Sequence, residues 1–192
     1  MNRYLTTLYL FSFALAATLA ASAQATNSKA NTMSKSSAST TAADTTFVKE
    51  AARGGLAEVE LGQLAEQKGA TEGVKKFGLR MVADHTKADD QLKQVAEKEH
   101  IDLPKEPDAK DRATKAQLEK LSGEQFDHAY MSDMVKDHRA DVAVFERESK
   151  DAKDPAVKDF ADQTLPTLRE HLKAAEKIAP RQTAENRPAR AH

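Results

Sequence analysis

The chain predicts an all-α fold: a four-helix bundle with a short extra helix in the long connection between the second and third main helices. Three observations lead there. Ala, Leu, Lys, Glu and Asp dominate while aromatics make up only 5%, a balance that favours helix over sheet. Four long stretches repeat their apolar residues at helical spacing. Two of the connections between them are short, which sets sequence neighbours antiparallel. At 192 residues there is room for one domain with a proper core.

Composition also removes function classes. A net charge of −1 gives no electrostatic case for nucleic acid or an anionic membrane surface. With no Cys, disulfides, thiolate nucleophiles, Cys-ligated metals and a lipid-modified N-terminal Cys are all excluded. Residues 1–23 read as a secretory signal peptide. Arg3 supplies the positive start, Leu5 to Leu19 the apolar run, and Ala21-Ser22-Ala23 a small-residue cleavage site. A short membrane anchor is the alternative. Cleavage is favoured because small residues end the run and no basic cluster follows; no transmembrane segment is then left. The expected compartment is the periplasm, with secretion or envelope association as variants. Residues 24–45, almost all Ser, Thr, Ala, Asn and Lys, read as a disordered tether, and residues 180–192 as a disordered tail. The helical domain is expected over residues 46–179.

The first helix is expected from about Thr46 to Lys68, capped within Asp44 to Thr46, with Phe47, Ala57, Leu61, Leu64 and Ala65 on one face and Glu58 among them. Gly54 and Gly55 are costly in mid-helix, about 1 kcal/mol each against Ala, and point to close approach by a neighbouring helix. After the turn at Gly69-Ala70-Thr71, a second helix runs to about His100 on a stripe of Val74, Phe77, Met81, Leu92 and Val95, with His85 in its middle. Asp84 turns to the side. Pro104 and Pro107 enforce an extended piece, and Asp108 to Leu121 reads as a short polar helix. Ser122-Gly123-Glu124-Gln125 has the form of a capping box, with Gln125 reaching back. The third long helix follows to about Lys150, its buried face holding Asp127, Tyr130, Met131, Met134, His138, Asp141 and Phe145. Asp154-Pro155, a cap followed by a first-turn proline, opens the last helix to about Ala179. His171 lies within its stripe of Val157, Phe160, Leu168 and Ile178.

A phrase recurs through these helices: Met81-Val82-Ala83-Asp84-His85, then Met134-Val135-Lys136-Asp137-His138, then Leu168-Arg169-Glu170-His171. Glu58, His85, His138 and His171 each fall near the midpoint of a different long helix, within about one turn of a common level. Imidazole with carboxylate suits Zn, Fe, Mn, Cu or Ni, so these four are the candidate ligands of one divalent transition metal. Asp127, Tyr130 and Asp141 are candidates to hold the rings in place behind them. The same residues can also form a purely structural polar layer, Glu58 bonding His85, and Asp127 or Asp141 bonding His138. His100, His128 and His192 lie outside this level.

Several phrases carry a family resemblance: Phe47-Val48-Lys49-Glu50-Ala51-Ala52, Gly55-Leu56-Ala57-Glu58-Val59-Glu60-Leu61-Gly62, the Met81 to Lys87 stretch, Phe126-Asp127-His128-Ala129-Tyr130, and Thr164-Leu165-Pro166-Thr167-Leu168-Arg169-Glu170-His171. On these, Phe47 to Ala179 resembles an exported bacterial domain of unknown function, often labelled "predicted outer membrane protein", in the ferritin-like superfamily. The resemblance implies a ferritin-like bundle with up-down-down-up helices and carries no established activity. Di-iron bundles place Glu three residues before their His ligands. Here those positions are Val82, Val135 and Leu168, which excludes a two-iron oxidase site and leaves a mononuclear, His-rich one.

Two functions follow. One is a periplasmic bundle binding a mononuclear metal through the Glu/His layer. The other is a non-catalytic structural or stress-related interaction module, tethered by its N-terminal segment, whose partner is an envelope protein or a second copy of the chain. No catalytic constellation is recognisable: Gly-x-Ser-x-Gly, His-Glu-x-x-His and a phosphate-binding Gly loop are all missing.

Overall fold

Five helices, in the order expected, make up residues 40–179, the part of the chain that the computed structural model describes. They are α1 (Ala42–Lys68), α2 (Glu72–Lys98), α3 (Ala109–Leu118), α4 (Gly123–Asp151) and α5 (Pro155–Ile178). There is no strand among the described residues, and no helix long and apolar enough to cross a membrane. The expected signal peptide, most of the tether and the tail lie outside the described residues.

Helix ends follow local chemistry, with two departures from expectation. α1 starts about one turn before Thr46 because Thr41 and Asp44 form the capping box: Asp44 N donates to Thr41 Oγ1 at 3.1 Å, and Thr41 N to Asp44 Oδ2 at 2.9 Å. Ser122 holds the cap position of α4, yet its side chain makes no capping bond. Gly123 beside it takes a φ of 60°, a left-handed conformation open to glycine. α5 is capped as expected, with Asp154 accepting from Ala156 N and Val157 N and Pro155 opening the helix.

The apolar stripes meet in two separate clusters. One joins Leu61, Leu64 and Ala65 of α1 to Phe77 and Met81 of α2, Tyr130 and Met134 of α4, and Ala175 of α5. The other joins Phe47, Val48 and Ala52 to Leu92, Phe145, Phe160, Leu165 and Leu168. The late part of α1 thus shares a cluster with the early parts of α2 and α4 and the late part of α5. So α1 and α5 run one way, and α2 and α4 the other. The connection from α2 to α4 accordingly travels the length of the bundle, from Ile101 and Leu103 beside one cluster to Leu118 and Leu121 at the other. α3 packs along the way on α1 and α4.

α1 and α2 approach each other closely at Gly62 and Gly78. A Cβ on either would come within 2.7 Å of the other's carbonyl oxygen. Gly54 and Gly55 are not that crossing: Gly55 makes room for the Asp89 side chain, and Gly54 is approached by nothing within 4 Å. Two aspartates close the bundle ends. Asp127 accepts from Ala70 N, Thr71 N and Thr71 Oγ1 at 2.8–2.9 Å, pinning the α1–α2 turn to α4. Asp44 accepts from Lys153 N and Asp154 N, pinning the α4–α5 connection to α1.

Candidate metal centre

Between the two apolar clusters lies one polar layer. His85 sits between Met81 of one cluster and Leu92 of the other, His138 between Met134 and Phe145, and His171 between Leu168 and Ala175. Each imidazole is buried, His138 fully and His171 at 1% exposure. One ring nitrogen from each of the three lies within 4.8 Å of the other two, an arrangement able to hold a metal ion.

The hydrogen bonds fix which nitrogens carry protons. His138 Nδ1 is 3.0 Å from the Met134 carbonyl, which can only accept, so Nδ1 bears the hydrogen and Nε2 the lone pair. His171 Nε2 is 2.8 Å from Asp84 Oδ2. Burial acts to raise the Asp84 carboxyl, but bonds from His171 and Arg80 outweigh it and hold the carboxyl low. Asp84 is therefore an acceptor, His171 carries its hydrogen on Nε2, and its Nδ1 is a lone pair. That Nδ1 faces His138 Nε2 at 3.3 Å. Adding a proton between them is opposed: burial lowers the His171 pKa despite Asp84, and burial with repulsion from His171 takes His138 down to about 4. Two ring nitrogens without hydrogens thus lie 3.3 Å apart in a buried layer. His85, driven to about 3 by burial and by the other two imidazoles, adds a third neutral ring, and its Nε2 is buried without a partner.

The expected residues sort as follows. His85, His138 and His171 come together. Glu58 is on the same level but behind His138: its Oε1 is 3.7 Å from Nδ1, the nitrogen that donates to Met134. Burial, then the charges of Asp141, Asp137, Asp133 and Asp111, push its carboxyl well up, and Oε2 has no partner. The expected contact from Glu58 to His85 is made to His138 instead. Asp127 is not near the rings, because it lies close to the start of α4 and its oxygens are taken by the α1–α2 turn. Tyr130 stacks on Phe126 within an apolar cluster and makes no hydrogen bond to an imidazole. Asp141 does not bond His138; it lines a cavity beside His85, and burial with Asp137 and Asp111 raises it to about 7.

The residue missed from sequence is Asp84, the acid before His in the recurring phrase. It lies beside the apolar stripe and is half-exposed, but that flank faces α5. Arg80 holds it through Nε at 3.1 Å and is itself held by Glu170 at 2.7 Å. A clue was available in the identity of the phrase: an acid adjoins each of the three histidines.

Comparison with known families also finds a domain of unknown function. The family described as "Domain of unknown function (DUF4142)" matches residues 16–178. The chain belongs to the DUF4142 family. No curated protein matches it. Among solved structures, this DUF4142 chain is similar to the crystal structure of a DUF305 fragment from Deinococcus radiodurans, with a TM-score of 0.64 at 19% identity, covering 73% of this chain and 97% of that one. At that identity the likeness is one of fold.

Proposed function

We propose that this DUF4142 protein binds one divalent transition metal through His138 Nε2, His171 Nδ1 and His85. The observation that carries the reading is the 3.3 Å approach of His138 Nε2 and His171 Nδ1, whose partner nitrogens are each turned to a carbonyl or a carboxylate. Two imidazole nitrogens bound about 2.0–2.1 Å from a tetrahedral Zn²⁺ stand about 3.3–3.4 Å apart. His138 Nε2 and His171 Nδ1 are already separated by 3.3 Å. The rings are oriented as metal-bound rings usually are, each passing its other N–H to a carbonyl or a carboxylate, Met134 O and Asp84. His85 closes the set by a small side-chain rotation, since no pair in the group exceeds 4.8 Å. Three nitrogens leave a fourth position for water or a small ligand, and a cavity of about 240 Å³ bounded by Asp84, His85 and His171 lies alongside. The donor set suits Zn, Cu, Ni or Fe.

A purely structural layer is the second reading. It is favoured by the Met134–His138–His171–Asp84 chain of contacts, which leaves few ring nitrogens without a neighbour. The helix directions support placement in the ferritin-like superfamily, and the leader-like residues 1–23 support export to the periplasm. Calorimetric titration of the untagged chain with Zn²⁺ and Co²⁺ separates the readings. The metal reading expects one ion per chain and loss of binding in both His138→Ala and His171→Ala. Equal or negligible uptake by all three proteins, with only thermal stability lowered in the variants, would leave the structural layer standing.

A further inference from the structure

Gly54 and Gly55 lie in the middle of α1, where each costs about 1 kcal/mol against alanine. Close helix packing accounts for neither. At Gly55 a Cβ would stand 2.1 Å from Asp89 Oδ1, so that glycine admits a carboxylate rather than a helix. At Gly54 a Cβ would meet nothing within 4 Å. What the two share is a cavity of about 120 Å³, which both line. Its acidic groups are Glu50, Asp89 and Asp141, and no Lys or Arg borders it. His85 forms part of the wall, 8% exposed and with Nε2 buried and unpartnered. The larger cavity on His85 is built differently, with Lys87, Gln91 and Gln163 in its wall.

We propose that the Gly54–Gly55 cavity is the passage by which a divalent cation reaches the histidines, with Asp89 and Asp141 as its transit ligands. Each carboxylate stands about one helical turn from a histidine of the triad, Asp89 after His85 on α2 and Asp141 after His138 on α4. α2 and α4 run in the same direction, so both carboxylates are displaced toward the same side of the layer. Hard carboxylate oxygens accept a cation that still keeps part of its water; neutral imidazoles then take it as that water is shed. A narrow cleft with acidic, low-dielectric walls concentrates cations and raises their association rate. Side chains at 54 and 55 would fill the space, and the glycines keep it open.

The inference rests on the metal reading above, and kinetics tells the two apart. Uptake of Co²⁺ by the untagged full chain is followed in a stopped-flow instrument beside its equilibrium affinity. Gly54→Leu should slow uptake about tenfold or more with affinity held within about threefold. Asp89→Asn/Asp141→Asn should slow it similarly and flatten its dependence on ionic strength. Gly54→Ala serves as the folding control, since it meets no neighbour, and Lys87→Gln should load at the wild-type rate. If Gly54→Leu and the Asn double variant load as fast as wild type, the passage is overturned and the metal site stands. Affinity falling in step with rate would also overturn it, making the aspartates ligands rather than a route. Absence of uptake by the wild type would remove the metal reading and the passage with it.

Discussion

Asp44 and Glu58 are carboxylates on the same helix, at 1% and 4% exposure, and the protein treats them in opposite ways. Asp44 accepts from Thr41, Lys153 and Asp154, bonds that overcome its burial and hold its carboxyl below the ordinary range. Glu58 has an unpartnered oxygen, a single long contact to His138, and four aspartates that disfavour its charge. A buried polar group left without partners is costly, so it persists where something other than stability selects it. Asp44, Asp127 and Asp154 close the ends of the bundle and are satisfied. Glu58 Oε2 and His85 Nε2, at the histidine level, are among the buried atoms left without a partner, as are Tyr130 Oη, Asp133 Oδ2 and Thr164 Oγ1.

The contrast can be broken in order of expected effect. Asp44→Ala removes a capping box and strands the buried Asp154 N–H, and should cost about 3 kcal/mol in urea unfolding at pH 7. Asp84→Asn keeps the shape but weakens the acceptor that fixes the His171 tautomer. It should lower metal affinity about 10–100-fold, read by calorimetry, with little change in the unfolding midpoint. Glu58→Gln should raise stability at pH 7 rather than lower it, because the fold opposes the charge that Gln does not carry.

The pH dependence of the metal-free protein sharpens the same pair. The Glu58 carboxyl is raised in the fold above its ordinary 4.5, so its contribution is full below that pH and is lost as pH climbs toward the folded value. Glu58→Gln should therefore gain on wild type as pH rises above about 4.5. Asp44 is depressed below 3.8, so its contribution is present above that pH and is lost as acid protonates it. Asp44→Asn should lose its deficit against wild type only at the acid end. Urea unfolding across pH 3 to 8 measures both, and slopes of the same sign would contradict the contrast.

Helix positions were readable because each depends on neighbours in sequence. The stripes around Phe77 and Leu168, and the Asp154-Pro155 start, work within one helix. The histidine level was readable for the same reason, since rise per residue places a midpoint without knowledge of packing. What sequence could not give was sideways position. Asp84 joins His171 only because its flank of α2 faces α5, and Asp127 reaches the Ala70-Thr71 turn only because α4 begins beside it. Gly54 and Gly55 resembled a helix crossing because glycine has no side chain to say whether a helix or a cavity lies against it.

The central claim is that three neutral imidazoles hold one metal, two of them through nitrogens whose lone pairs are fixed by the bonds of the other ring nitrogen. Histidine ¹⁵N NMR, recorded before and after one equivalent of Zn²⁺, tests it most directly. The metal-free protein should show His138 protonated at Nδ1 and His171 at Nε2, and Zn²⁺ should shift His138 Nε2 and His171 Nδ1 while leaving the protonated nitrogens in place. Spectra unchanged by Zn²⁺, or a shift at the opposite nitrogens, would contradict the account.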